Sequence, residues 1–187
     1  HYRILSVVNQ EQCFMAISLY DVGVKTYLQI LPAVSSFLDK GRSHFEESQT
    51  SLDDLVKISL YPNMAPFKFQ LFSVAHHSFG AIKGLQTGEF SPPNMPSGLT
   101  FEALQQHVND AETNLRALDR AEIDALEGGE VVFKMGSTSL PFVSEEFLMS
   151  FSLPNFYFHA TTAYDILRKE GVPLGKMDFL GQMRVKG

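Results

Sequence analysis

The stretch Asn155–Gly181, NFYFHATTAYDILRKEGVPLGKMDFLG, decides the fold of this chain. It reads as one helix over residues 155–170 with an apolar stripe of Phe156, Ala160, Ala163 and Leu167. Asn155, His159 and Thr162 stand at i, i+4 and i+7, so their side chains share one face. Gly171 and Pro173 end the helix, and Lys176 and Asp178 follow in a short tail. A helix that buries a histidine between an asparagine and a threonine makes either a satisfied polar core or one wall of a site.

Upstream, EVVFKM and TSLPFV flank Gly136-Ser137, the signature of a β-hairpin. Pro141 marks the second strand as an edge. Two strands cannot stand alone in water, so the hairpin must lie on helices. Ser144 with Glu145 and Glu146 starts a helical turn, which Pro154 is expected to separate from the last helix. Thr100 caps a third helix over 101–118, whose polar side carries Gln105, Gln106, Asp110 and Glu112. Asp119 with Glu122 starts one more short helix. Before Thr100 lies GEFSPPNMPSGL, residues 88–99, a loop by composition.

The second long helix opens near Met64 or Ala65 and carries FKFQLFSVAHHSFGAIKGL. A short helix begins at Ser51. The first long helix runs from Leu19 to Glu47, with a kink expected at Pro32. Met15 reads as the start of the domain, 15–187, and residues 1–14 as an N-terminal extension or remnant that contains Cys13. Short connections favour antiparallel neighbours. The expectation is an all-α, up-down four-helix bundle with connector helices and one small hairpin between helices three and four.

A chain of 187 residues is long enough to bury a real core, and 16 phenylalanines supply its bulk. The net charge of −6 argues against nucleic acid and against an anionic membrane surface, both of which call for clustered Lys and Arg. No run approaches the ~20 apolar residues of a membrane span. A single cysteine excludes an intramolecular disulfide and zinc sites built on several thiolates. A cytoplasmic location is the economical expectation.

His76 and His77 sit in the middle of the second helix, and neighbours on a helix diverge by about 100°. The face of His77 holds Gln70, Ser73, Val74, Ala81 and Gly84, small or polar side chains that leave room beside an imidazole. The face of His76 holds Phe69, Phe72 and Phe79. His77 is therefore the stronger candidate. His159 is the matching group on the last helix, and Tyr157 diverges from it. His44 suits a helix C-terminus, and His107 reads as solvated among Gln and Asn. Ser73 and His77 lack a third orienting group, so they are no nucleophile signature. HExxH, P-loop, GxGxxG and EF-hand patterns are absent from the sequence.

Taken together, SLYDV, YPNMAPF, LPNFYFHATTAYDILR and GVPLGKMDFLG resemble an uncharacterised family of bacteria and fungi within the DinB/YfiT-like superfamily of metal-associated four-helix bundles. The resemblance covers residues 15 to about 181. It implies a divalent metal held by a histidine of helix two and a His-x-x-x-His pair of the last helix. His77 and His159 match two of those positions, and Asn155 stands where the third histidine would be. An amide oxygen is a poor ligand for zinc or nickel. A weak divalent site at best is expected, and no cofactor is expected to be tightly held.

Three functional classes follow. In the first, a mostly apolar internal pocket binds or acts on a small organic molecule. There His77 and His159 are the acid–base candidates, and Asn155, Thr162, Ser73 and Gln70 bind the ligand. In the second, the chain is a metal-dependent hydrolase or thiol transferase using His77 and His159 as ligands. In the third, it is a non-catalytic stress or interaction protein whose polar core fixes helix register. A symmetric homodimer is expected, because the hairpin offers a β edge and two-fold pairing is the commonest closed assembly.

Overall fold

A computed structural model describes residues 17–186. The extension 1–14, Cys13 and Met15 lie outside the described residues. The chain opens with helix α1, Leu19–Val22, capped by Ser18, whose hydroxyl accepts from the Asp21 amide. Gly23 makes a turn, and helix α2, Val24–Glu47, continues across Pro32. The first helix is thus divided at Gly23. A Cβ at that position would lie 2.9 Å from Leu148 Cδ1, so any larger residue would require the buried Leu148 side chain to shift. Helix α3, Leu52–Leu55, follows as a connector.

The second long helix is built in three parts. Helix α4, Phe67–Ala75, passes into a π-helical turn, His76–Gly80, and resumes as α5, Ala81–Thr87. Gly88 ends it at φ 76°, in the left-handed region, and reverses the chain directly into a strand. That strand, β1, Glu89–Phe90, corrects the expected all-α fold with a lone hairpin. It pairs in parallel with β2, Glu130–Met135, which pairs antiparallel with β3, Thr138–Val143. The protein is mostly helical with a three-stranded sheet of order β1-β2-β3. A two-residue strand inside a Pro- and Gly-rich stretch shows no alternation, so its pairing is invisible in sequence. Pro141 does lie on an edge strand, and β3 keeps its outer side exposed.

Helix α6, Phe101–Arg116, is capped by Thr100, and the short helix α7, Arg120–Asp124, is capped by Asp119. Gln105, assigned to the polar side of α6, is instead buried. It donates to Asp39 at 2.6 Å and accepts from Arg42, tying α6 to α2. Pro154 does not separate the last helix from the turn before it. Helix α8, Ser144–Glu146, runs through a second π turn, Phe147–Ser152, into α9, Leu153–Lys169. A π turn widens the backbone ladder ahead of a proline that has no N–H to contribute and whose ring crowds the preceding turn.

α4 packs on α9 and α6, and α2 packs on α6, α9 and the tail. Tyr27, Phe37, Phe67, Phe101, Phe147 and Phe156 are fully buried among these helices. The tail forms helix α10, Lys176–Leu180, which docks on α2. Lys40 pairs with Asp178 at 2.6 Å, and Gln29 Nε2 donates to the Leu180 carbonyl at 3.2 Å. None of the described helices is long and apolar enough to cross a membrane.

Candidate functional site

Both π turns sit at the same place in the fold. One carries His77, the other Phe151 and Ser152, and a buried hydrogen-bond chain joins them. Tyr27 Oη donates to Ser152 Oγ at 2.9 Å, and Ser152 Oγ donates to the His77 carbonyl at 2.8 Å. A π turn disturbs the regular pairing of backbone carbonyls, and a serine from the neighbouring helix here satisfies one of them. Tyr27 is fully buried, which raises its hydroxyl pKa and keeps it a donor.

This register brings His77 and His159 together. Their ring centroids are 5.7 Å apart and the planes nearly parallel, at 20°. Both side chains are buried. Gln70 sets the state of His159. Its Nε2 donates to the Ala65 carbonyl at 2.7 Å, which turns Oε1 toward His159 Nδ1, also at 2.7 Å. The oxygen can only accept, so His159 carries its proton on Nδ1 and presents the Nε2 lone pair. His77 makes no such contact, and its buried Nδ1 has no partner among the described residues. Burial, followed by the neighbouring His76 and His159, pushes the His77 pKa down to about 3. Burial, followed by His76, pushes that of His159 down to about 4. Both rings are therefore neutral at pH 7.

A recess of about 320 Å³ opens at this pair. Its polar lining is Ser73, His77, Asn155 and His159. The remaining walls are apolar: Phe69 from α4, Phe90 from β1, Phe133 and Met135 from β2, Phe151 from the second π turn, and Pro92 and Pro93 from the loop. Asn155 donates through Nδ2 to the Phe151 carbonyl at 2.7 Å. Two expected site residues lie outside the lining. Thr162 is buried and donates its hydroxyl to the Phe158 carbonyl at 2.7 Å, within its own helix. Gln70 acts through His159 rather than on the recess.

Sequence reasoning missed Phe90, Phe133 and Phe151, because the sheet and a π turn bring them in from distant positions. It also placed Phe69 with His76. The structure sets Phe69 edge-on to His159, centroids 5.7 Å apart, while His76 stacks on Phe90 at 4.4 Å. Phe69 lies on α4 ahead of the π turn, where packing on α9 sets it against His159, and strand β1 brings Phe90 to His76, neither of which helical spacing anticipates. His107, read as solvated, is half-buried and stacks on Phe72 at 4.6 Å.

Among the described residues, no group of three His, Cys, Asp or Glu side chains is placed to share a metal ion. Two imidazoles and the Asn155 amide do not make the three-imidazole set that the resemblance implies.

Residues 19–180 match a family described as a domain of unknown function, DUF1993. No curated protein matches the chain. Among solved structures, the crystal structure of a DinB family member protein from Shewanella denitrificans is similar, with a TM-score of 0.75 and 25% sequence identity. The likeness covers 90% of this chain and 95% of that one.

Proposed function

The chain belongs to the DUF1993 family, and within that family we propose that it binds a small, largely apolar organic molecule with one hydrogen-bonding head at the His77–His159 recess. One observation carries this. The two buried side-chain polar atoms that lack a partner among the described residues, Ser73 Oγ and His77 Nδ1, both belong to residues lining this recess. An unmade buried hydrogen bond costs about 1–3 kcal/mol, and both atoms are enclosed in this conformation, so a ligand satisfies them as the Ser73 hydroxyl and the His77 ring turn toward the recess. The lining fits the class: aromatic walls with a few convergent polar groups, at the small end of ligand-sized cavities. Neutral imidazoles both donate and accept, which suits a hydroxyl better than an ion.

Titration with p-cresol and with toluene, which lacks only the hydroxyl, tests the reading. The His77 and His159 ring signals should respond to both by NMR, with p-cresol bound several-fold more tightly. His77→Phe should abolish the difference. Equal affinities, or no response at millimolar concentrations, would defeat the proposal.

The likeness to a DinB family member carries the implication of a metal-dependent function, but this donor set falls short of it. Asn155→His should raise zinc affinity by more than about tenfold, since a direct ligand outweighs the tenfold or greater effect of outer hydrogen-bond partners. Isothermal titration with zinc measures this. Unchanged affinity would show that the Asn155 position does not point at a shared metal position.

A further inference from the structure

His76 and His77 are adjacent, yet their rings lie at 81° and open on different recesses. The second recess, about 430 Å³, lies between α6 and the helix that carries the first π turn. It is lined by Phe72, His76, Phe79, His107, Asp110 and Asn114 among others. Nothing in the function proposed above uses it.

We propose that this second recess binds a small arylalkylamine, a flat aromatic ring bearing a protonated amine on a short alkyl arm. The ring has a place to stack. His107 lies on Phe72 with centroids 4.6 Å apart and planes at 18°, and both residues line the recess, so an aromatic ring seated there meets an existing stack. The cation also has a place. Asp110 is the one carboxylate of the lining, and burial lowers the pKa of both His76 and His107, so neither imidazole opposes a positive charge at neutral pH. The Phe79 ring already attracts a cation of the chain itself, Lys83 Nζ, 5.6 Å from its centroid. Lys83 is exposed and outside the lining, so its flexible stem can swing into solvent when a ligand arrives. Asn94 and Asn114 complete the lining with amide oxygens that accept from an ammonium group. The floor is fixed, because His76 is held through Nε2 at 2.8 Å from the Ser91 carbonyl and stacks on Phe90.

Three probes of one size and different charge test the site: phenethylammonium, 2-phenylethanol and phenylacetate. Each is titrated at pH 7.5 while the ring signals of His107 and His159 are followed by NMR. The expected result is a shift at His107, with phenethylammonium bound about fivefold more tightly than the alcohol, the scale of an exposed ion pair, and phenylacetate weakest. Asp110→Asn, a conservative change at an exposed position, should bring phenethylammonium to the level of the alcohol and leave the alcohol unchanged. Equal binding of the three probes would overturn the proposal. So would a preference that survives Asp110→Asn, or shifts at His159 in place of His107. Failure of the p-cresol test would not affect this result, since the two recesses have separate linings.

Discussion

Acidification from pH 7 to pH 5 should destabilise this protein by up to about 4 kcal/mol through two side chains, His77 and His159. Their folded-state pKa values are lowered, to about 3 and about 4, by burial first of all. In the unfolded chain an imidazole titrates near 6.5. Between that value and the folded one, the unfolded state binds a proton that the folded state refuses. Stability is therefore complete above about pH 6.5 and falls as the pH drops. At 1.36 kcal/mol per pH unit, each ring contributes about 2 kcal/mol of loss by pH 5. His76 and His107, also lowered by burial, act in the same sense. Carboxylates titrate mostly below this window, and the Asp21 carboxyl, held far down by Arg120 and Lys25, loses its contribution only in stronger acid. Urea unfolding at the two pH values measures the effect. His77→Phe should remove about half of what the pair contributes. A wild-type stability that is flat from pH 7 to pH 5 would contradict the burial of both rings.

Ser152→Ala should cost about 2–4 kcal/mol, because one hydroxyl serves two buried groups. Its loss leaves the Tyr27 hydroxyl without an acceptor and the His77 carbonyl without its donor. For a chain of this length the melting temperature should fall by roughly 4–16 °C. Ser150→Ala, two residues away and exposed, provides the comparison and should change little. The double variant Tyr27→Phe/Ser152→Ala should cost less than the sum of its parts, since removing both partners spares the orphaned hydroxyl. Additive costs would show that the chain of hydrogen bonds is not a unit. The His77 ring signals should also move in Ser152→Ala, because that hydrogen bond links the two π turns.

The sequence by itself determined the local elements. The caps at Thr100 and Asp119, the turn at Gly136-Ser137 and the helix stop at Gly171 are written in neighbouring residues, where side chains meet backbone groups a few positions away. It also singled out His77 and His159, because each stands among small or polar residues on an otherwise apolar helix. Only the tertiary structure decided what surrounds them. The strand at Glu89–Phe90 exists through its pairing with Val132 and Phe133, more than 40 positions away. Nothing within two residues could announce it. The packing of α4 on α9 set Phe69 against His159, and strand β1 brought Phe90 to His76. Thr162 kept its place on the face of His159, yet its hydroxyl turned back to its own helix, a choice made by packing rather than spacing. Periodicity records which side of a helix is buried. What that side meets depends on the helices and strands that fold against it.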